Sequence, residues 1–377
     1  MKGFTALVGH NGSGKTNILR AIQWAVESAT STQPIKSALL IPATLVGFVL
    51  VLDKTRFRYQ LEVRLITQEP DNTHKTFLNE KLEIQTPSGE WQNIVFRQGD
   101  TIRISGHDTD IQTGIAMPSL PALEALMPQK PVVKQVSSVI NFFNAVRYYP
   151  LDEPNLPNME IGSNGYVKHL DYVEWLNKYN SHPEPNSSVI MRLLHLSLEK
   201  PETYDALKTL LGANGLELIE DIHIISQSFP IERSDKSNAF YVIEFLPSAN
   251  RGTLTENYFT YQELSFGTRR LLRILVSVIY DKSAMLLLEQ PEDGIHVGLL
   301  HKLVPLLKTY SDQGQFLIAS HSSEVFNRLE PQEIRLVTMV NGVTHLRPFD
   351  DIEITEAHQF ICEDGTLSDF LETIQED

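Results

Sequence analysis

The feature that most constrains this chain is a glycine-rich loop near its start. The apolar run at residues 4–8 has the length of a buried strand, and residues 17–28 place apolar side chains at helical spacing. Between them stands the sequence Gly9-His10-Asn11-Gly12-Ser13-Gly14-Lys15-Thr16, which fits the pattern G-x-x-x-x-G-K-[ST]. A strand, this loop and a helix in that order predict a phosphate-binding loop.

Each residue type in the loop has a physical role in holding phosphate. Glycines let successive backbone N–H groups turn inward, and the N-terminus of the following helix adds a partial positive charge. We expect Lys15 to reach the β- and γ-phosphates of ATP and the Thr16 hydroxyl to ligate Mg²⁺. The predicted nucleotide-binding residues at the loop are Gly9, Asn11, Gly12, Ser13, Gly14, Lys15, Thr16 and Asn17.

Composition and charge restrict the class of protein. The chain has 377 residues, 42% of them hydrophobic and 21% charged, as in ordinary globular proteins. This length predicts one large domain or two coupled domains. The formal net charge of −15 repels nucleic-acid backbones, so DNA binding would need a local basic patch or a partner and is not indicated by charge.

Cysteine usage and hydropathy indicate the compartment. The single cysteine, Cys362, excludes an internal disulfide framework and a cysteine-based zinc cluster, and it is typical of a reducing cytoplasm. The first apolar run is too short for a secretion signal. The uncharged stretch 37–52 is shorter than the roughly 20 residues of a spanning helix, and its β-branched valines favour a buried strand. We therefore expect a cytoplasmic protein with no membrane contact.

The pattern along the chain changes twice. Alternating apolar residues predict an antiparallel meander with strands over residues 48–52, 57–66, 81–85, 94–97 and 101–105. The next region predicts short helices over 122–127, 133–148, 166–179, 188–199, 204–211 and 216–226. From residue 261 helices alternate with apolar strands, which favours an α/β lobe. We divide the chain into a first lobe, a helical insert, a second lobe and a tail, at residues 1–109, 110–230, 231–347 and 348–377.

Three further motifs follow the loop. Residues 284–288 form an apolar strand that ends in Glu289, as a strand does when it delivers a carboxylate to Mg²⁺. Upstream, the sequence Leu264-Ser265-Phe266-Gly267-Thr268-Arg269-Arg270 opens an amphipathic helix. Downstream, the apolar strand 316–319 is followed by Ser320 and His321. In isolation the motif at residues 264–270 predicts only a serine cap. The order of these three motifs after the glycine-rich loop is informative.

In this order the motifs resemble those of the AAA-family ATPases of the RecF/SMC-like ABC class. That class includes OLD-like proteins and the ATPase subunits of anti-phage defence systems such as Septu and PARIS. The resemblance implies an α/β fold, an ABC-type P-loop ATPase head with an antiparallel β-meander in the first lobe and a helical insert. It also implies a head-to-tail dimer or higher oligomer, in which Ser265 and Gly267 of one subunit face the γ-phosphate held by Lys15 of the other. His321 would sense the γ-phosphate, and Thr16 and Glu289 would ligate Mg²⁺.

The chain departs from the family pattern at the hydrolytic position. The family follows its Walker B acid with a catalytic glutamate, and here that residue is Gln290. An amide orients a water molecule but cannot take its proton, so we expect ATP binding with impaired hydrolysis. An engineered substitution, which we favour, and a natural glutamine are both open. The resemblance also implies a leading strand that helps to contact the adenine, and no such strand precedes the run at residues 4–8; a truncated start and a different adenine site are both open. Gln98 and Gln112 are candidates for the family's Q-loop glutamine by position alone.

The roles of several other residues stay open. Asp293 and His296 resemble a segment that crosses the dimer interface, or they form a structural turn. Arg269 and Arg270 contact phosphate or an acidic group, or they lie on a solvated helix face. The function that we favour is an ATP-driven switch in anti-phage defence, which controls a separate effector protein, a nuclease encoded nearby. The alternative is a RecF-like ATPase that clamps DNA, and a transporter subunit is a weaker third reading.

Overall fold

The structure is a computed structural model that forms two compact units. One comprises residues 1–19 and 147–377, and the other residues 20–146. The residues described are 3–33, 35, 43–68, 73–106, 110–113, 117–126, 131–150, 162, 164–181, 188–228, 239–250, 257–281, 283–363 and 365–376.

The elements follow in chain order. The strands are β1 Phe4–Val8, β2 Ala43–Leu52, β3 Thr55–Gln68, β4 Thr73–Gln85, β5 Trp91–Gln98, β6 Thr101–Ile104, β7 Ile111–Gln112, β8 Val146–Tyr149, β9 Tyr166–Lys168, β10 Ile219–Ser228, β11 Ala239–Pro247, β12 Met285–Glu289, β13 Gln315–Ala319, β14 Ile334–Val340 and β15 Val343–Pro348. The α-helices are α1 Lys15–Thr30, α2 Ser119–Leu126, α3 Pro131–Asn144, α4 His169–Ser181, α5 Val189–Glu199, α6 Pro201–Leu211, α7 Phe266–Val276, α8 Val297–Thr309, α9 Ser323–Phe326, α10 Asp351–Cys362 and α11 Leu367–Glu376. A π-helical turn, Ser277–Asp281, continues α7.

The larger unit is built on a sheet with the strand order β15-β14-β1-β13-β12-β8. The strands β14, β1, β13 and β12 pair in parallel, and β15 pairs antiparallel with β14. Every residue of β1 and β12 is buried, which explains why both read as uninterrupted apolar runs. Because parallel strands end at the same edge of a sheet, the residues that follow β1, β12 and β13 come together there.

The core of this unit lies between the sheet and its helices. On α7 the residues Leu271, Leu272 and Leu275 are fully buried, and α8 contributes Leu303 and Leu307. Apolar side chains at this spacing form one stripe of a helix, which is why the helical pattern after Ser265 is readable from the sequence. Truncating one of these leucines to alanine typically costs about 2–5 kcal/mol of stability.

A second sheet of the larger unit corrects two helix predictions. Its order is β10-β11-β9, and both pairs are antiparallel. The predicted helix over residues 216–226 is wrong, because its β-branched isoleucines belong to β10 and pair with β11. The predicted helix over 166–179 begins instead with the short strand β9. Likewise, the helix predicted over 133–148 ends at Asn144, and its last residues form β8.

The smaller unit contains the predicted antiparallel meander. Its sheet runs in sequence order from β2 to β7, and each neighbouring pair is antiparallel. The buried side includes Tyr59, whose ring contacts that of Phe143 on α3 with a centroid distance of 5.3 Å. The Tyr59 hydroxyl donates a hydrogen bond to Oε1 of the buried Glu80 at 2.9 Å, and burial raises the pKa of that carboxyl.

The strand at residues 37–52 differs from its prediction. Residues 37–42 lie outside the described residues, and the rest is the edge strand β2. Leu45 and Val51 are 68% and 66% exposed, so the strand is not buried. The edge position of β2 was not predictable from its uncharged sequence, because β-branched residues are common in edge and central strands alike.

The structure matches the predicted α/β class with a meander early in the chain, and residues 110–230 hold helices α2 to α6 together with strands. The division at residues 109, 230 and 347 stays a prediction. Among the described helices, none combines the length and apolarity needed to cross a membrane.

Candidate nucleotide site

The glycine-rich loop joins β1 to α1, as the sequence predicts. Gly12 and Gly14 have φ angles of +80° and +101°, in the left-handed region that favours glycine. A Cβ atom at Gly14 would overlap the Thr344 side chain, and one at Gly9 would overlap the Val337 carbonyl oxygen. The loop therefore lies directly against the β14–β15 hairpin and has no room for side chains at these two positions.

The hairpin also bonds to the loop. The Thr344 hydroxyl donates a hydrogen bond to the Ser13 carbonyl oxygen at 3.1 Å, across a separation of 331 residues. The Ser13 side chain is buried, and its hydroxyl has no hydrogen-bond partner among the described residues. A buried hydroxyl without a partner suits a loop that receives an anionic ligand. Asn11 and Asn17, two other predicted ligands, are exposed.

Lys15 is buried at the first position of α1. Its Nζ atom donates hydrogen bonds to the carbonyl oxygens of Gly9 at 2.7 Å and His10 at 3.0 Å. Burial lowers the pKa of Lys15 to about 8, and the negative charge of Glu292 opposes this shift. The ammonium group thus has carbonyl partners within its own loop.

Thr16 and Glu289 come together at the carboxyl edge of the sheet. The Thr16 hydroxyl donates a hydrogen bond to Glu289 Oε1 at 2.5 Å, and the hydroxyl of Tyr148 on β8 donates to Oε2 at 2.7 Å. Glu289 is only 4% exposed. The sequence predicted that Thr16 and Glu289 act together but did not identify Tyr148, because residues 146–148 were predicted to be helical.

The donor set fits Mg²⁺. A hydroxyl and a carboxylate that converge are the hard oxygen ligands this ion prefers, and Mg²⁺ usually takes only one or two protein carboxylates beside phosphate oxygens and water. Within the described part of the chain there is no group of three or more His, Cys, Asp or Glu side chains that would hold a metal ion. Thr16 and Glu289 are therefore the predicted Mg²⁺ ligands that the structure brings together.

Arg270 connects the helix α7 to the end of β12. Its Nη2 atom donates hydrogen bonds to the carbonyl oxygens of Glu289 at 2.5 Å and Gln290 at 2.9 Å, and the residue is buried. Its burial contradicts the prediction of a solvated helix face, and the alternative, contact with phosphate or an acidic group, stays a prediction. This arginine fixes the main chain that carries the predicted catalytic position, and nothing in the local sequence revealed this role.

Gln290 follows β12 in an uncommon backbone conformation. Its φ angle is +42°, and its N–H group donates a hydrogen bond to the carbonyl oxygen of Ala319 at 2.7 Å. A residue other than glycine in this region is strained, and such strain often lies at functional sites. A tight turn follows, in which the N–H of Asp293 donates to the Gln290 carbonyl oxygen at 3.1 Å.

The turn brings Glu292 to the segment after β13. Its Oε1 atom accepts hydrogen bonds from the Ser320 hydroxyl and from the His321 N–H, both at 2.8 Å. Partial burial lowers the pKa of His321, the charge of Lys15 lowers it further, and Glu292 opposes both effects. His321 thus lies within electrostatic reach of Lys15; its predicted role in sensing the γ-phosphate stays a prediction. Glu292 was not among the predicted site residues.

Ser265 and Gly267 lie at the start of α7. The Ser265 hydroxyl caps this helix by accepting a hydrogen bond from the Thr268 N–H at 3.1 Å. Gly267 lies so close to the Gly294 carbonyl oxygen that a side chain would overlap it. In the described residues no hydrogen bond joins Ser265 or Gly267 to the glycine-rich loop, so their predicted role across a dimer stays a prediction. His296 caps α8, as a residue of a structural turn does.

Comparison with protein families gives one match. The profile of the family described as "AAA domain, putative AbiEii toxin, Type IV TA system" matches residues 4–126 and 212–327, together more than half of the chain. No curated protein sequence matches the chain.

Similar solved structures include heads of SMC proteins and a transporter ATPase. An SMC head bound to the C-terminal winged-helix domain of ScpA is 13% identical over 94% of this chain and 93% of that chain, with a TM-score of 0.45. The SMC head domain from Thermotoga maritima is 16% identical over 92% and 90%, with a TM-score of 0.36. The ATP-binding cassette MJ1267 of an ABC transporter is 12% identical over 97% and 87%, with a TM-score of 0.35.

Proposed function

The chain belongs to the AAA-domain family whose profile it matches, and from this premise we propose that it is an ATP-driven molecular switch that dimerises head to tail and controls a partner effector. As a family member it is a P-loop ATPase of the SMC/ABC class. The switch, the dimer and the effector are the proposal. The observation that carries the ATP-binding part of the proposal is the 2.5 Å hydrogen bond between Thr16 and Glu289, which brings the loop and the carboxylate of a nucleotide site together.

The residues at this site divide the work of binding. The loop from Gly9 to Thr16 holds the phosphates of ATP, and Lys15 moves its charge from the loop carbonyls to the phosphate oxygens. Thr16 and Glu289 hold Mg²⁺, with Tyr148 orienting the carboxylate. Mg²⁺, when bound, would supply positive charge that offsets the negative charge developing during phosphoryl transfer. Gln290 orients a water molecule but cannot accept its proton, so we expect slow turnover.

The exposed start of α7 supports the proposed dimer. Ser265 is exposed and Phe266 is 36% exposed, so the tip of this helix is open to a second subunit. In the proposed dimer, Ser265 and Gly267 of that subunit complete the site around the γ-phosphate. A ligand that binds only the dimer stabilises it, so ATP tightens the association and hydrolysis loosens it.

The effector and the setting rest on the family. Its description names a toxin of a toxin–antitoxin system, which supports control of a toxic activity. We propose a nuclease encoded nearby as the effector, anti-phage defence as the role and the cytoplasm as the location. Expression of the chain with its genomic neighbours should yield a stoichiometric partner on purification. Purification of the chain alone, together with ATP-dependent and steeply salt-sensitive binding of duplex DNA, would favour a DNA clamp instead.

The test of the switch combines turnover with molecular mass. ATP hydrolysis and light-scattering mass are measured for the native chain, Gln290→Glu, Ser265→Arg and the binding-deficient control Lys15→Ala. We expect Gln290→Glu to raise turnover about a hundredfold. The native chain should become a dimer with Mg-ATP, and Ser265→Arg should bind ATP but stay monomeric. An unchanged mass for a chain that binds Mg-ATP would contradict the dimer, and failure to bind would contradict the function itself.

A further inference from the structure

Glu292 has one carboxylate oxygen in use and one without a partner. Its Oε1 atom is held by the Ser320 hydroxyl and the His321 N–H. Its Oε2 atom is buried and has no hydrogen-bond partner among the described residues. A buried carboxylate oxygen without a partner is costly, so its presence in a folded chain calls for an explanation. A water molecule or ligand group that donates to Oε2 would remove this cost.

The charge of Glu292 acts on the nucleotide site. It raises the pKa values of both Lys15 and His321 against the lowering effect of burial. Those two side chains are the predicted contacts of the β- and γ-phosphates. The carboxylate is therefore near the groups that would surround the terminal phosphate, although the sequence predicted no role for it.

Glu292 and Gln290 belong to the same turn and are held by the same neighbouring segment. The Gln290 N–H donates to Ala319, and Glu292 accepts from the two residues that follow. Gln290 occupies the position of the family's hydrolytic glutamate but carries an amide. Asp293, the other carboxylate of this turn, is exposed. Glu292, whose Oε2 atom is buried, is thus the carboxylate of the turn that we consider as a proton acceptor where Gln290 cannot serve.

We propose that Glu292 is the proton acceptor for ATP hydrolysis in this chain, in place of Gln290. The inference rests on the proposed ATPase function. The oxygen of a water molecule forms a bond to the γ-phosphorus, and the bond from that phosphorus to the β,γ-bridging oxygen breaks. ADP leaves with the bridging oxygen and its electron pair. One water proton passes to the Glu292 carboxylate, which later releases it to solvent, and the other stays on the phosphate product.

A purely structural role would have a different signature. The two hydrogen bonds of Oε1 tie the turn after β12 to the segment after β13. Loss of this tether would lower turnover whichever residue stands at position 290. A proton acceptor that replaces Gln290 is needed only while residue 290 is an amide. The effect of removing the Glu292 charge must therefore depend on the identity of residue 290.

The experiment is a double-mutant cycle. ATP turnover at saturating Mg-ATP and the affinity for a non-hydrolysable ATP analogue are measured for the native chain, Glu292→Gln, Gln290→Glu and the double variant. Glutamine at 292 keeps an oxygen that accepts the bonds from Ser320 and His321, so the tether is retained. We expect Glu292→Gln to lower turnover about tenfold or more in the native chain. In the Gln290→Glu background the loss should be less than about twofold.

Ser320→Ala serves as the tether control. It removes one hydrogen bond to Glu292 but keeps the carboxylate. Its fractional effect on ATP turnover should therefore be the same with glutamine and with glutamate at position 290. An equal loss for Glu292→Gln in both backgrounds, an unchanged turnover, or a native chain that binds the analogue without hydrolysing ATP would each overturn the proposal for Glu292 alone. Failure of both the native chain and Gln290→Glu to bind the analogue would overturn the proposed function as well.

Discussion

The hydroxyl of Tyr148 donates a hydrogen bond to Oε2 of Glu289 at 2.7 Å, and both side chains are buried. Partners that orient a metal-binding carboxylate commonly change metal affinity about tenfold or more when they are removed. We predict that Tyr148→Phe raises the Mg²⁺ concentration needed for half-maximal binding of an ATP analogue by about tenfold. Magnesium titrations followed with a fluorescent analogue measure this shift.

The neighbouring tyrosine gives the matched control. Tyr149 has its hydroxyl at Ser277, away from Glu289. Tyr149→Phe removes the same atom from the next residue and should leave the magnesium requirement unchanged. Equal shifts in the two variants would show that the effect comes from packing and not from orientation of the carboxylate.

The two left-handed glycines of the loop should respond differently to alanine. Gly14→Ala adds backbone strain and a collision with Thr344, whereas Gly12→Ala adds strain alone because no atom lies within 4 Å of its added Cβ. We predict a loss of about 1 kcal/mol in the free energy of unfolding for Gly12→Ala and a clearly larger loss for Gly14→Ala. Urea unfolding measures both values. Equal losses would mean that the β14–β15 hairpin does not press on the loop.

Nucleotide binding should depend on pH through Lys15. Because burial lowers the pKa of Lys15 to about 8, this side chain loses its proton above that pH in the protein without nucleotide. Bound phosphates would raise the pKa again, so that Lys15 takes up a proton when ATP binds. We predict weaker ATP binding as the pH rises from about 7 to about 9.5, with proton uptake on binding above about pH 8. Calorimetry in two buffers of different ionisation enthalpy measures this uptake.

The stability of the fold should depend on the pH in the opposite direction to ATP binding. Between pH 8 and the ordinary lysine pKa of 10.5 the unfolded chain binds more protons at this residue, so the contribution of Lys15 to stability rises with pH. Lys15→Met should abolish the proton uptake. An uptake that persists in this variant, or one that is absent from the native chain at about pH 9, would assign the pH dependence to another group.

Arg270 should resist replacement by lysine. Its guanidinium reaches two successive carbonyl oxygens, and the single ammonium of lysine lacks this fork. We predict that Arg270→Lys lowers the free energy of unfolding by about 1–3 kcal/mol. Arg269→Lys at the adjacent, less buried position should cost about 0.5 kcal/mol or less. Similar costs at the two positions would show that the bonds to Glu289 and Gln290 contribute little.

The predictable part of this protein is the part that local chemistry dictates. The left-handed glycines and the apolar strand before Glu289 both depend on neighbours in the sequence, so their pattern is readable. The contacts from Tyr148 and Thr344 join residues separated by 141 and 331 positions, and no local pattern encodes them. The roles assigned to Ser265, Gly267 and His321 stay predictions.

The misassigned helices have a common physical reason. Residues 146–149 and 219–228 are rich in β-branched and aromatic side chains but adjoin helical patterns, so the period alone does not separate them. Their state is decided by tertiary pairing, β8 beside β12 and β10 beside β11. Propensity is a weak guide wherever a sheet neighbour supplies the hydrogen bonds.

The hydrogen bonds of Lys15 to its own loop make ligand binding an exchange reaction. Two carbonyl oxygens already accept hydrogen bonds from the lysine, and an incoming anion must replace them. The free energy gained is therefore only the difference between the lysine–phosphate and the lysine–carbonyl interactions. A small anion that contacts the lysine alone gains little from this exchange. A triphosphate has more oxygens with which to engage the lysine and the backbone N–H groups of the loop at once, so we expect it to gain more from the exchange than sulfate or inorganic phosphate does.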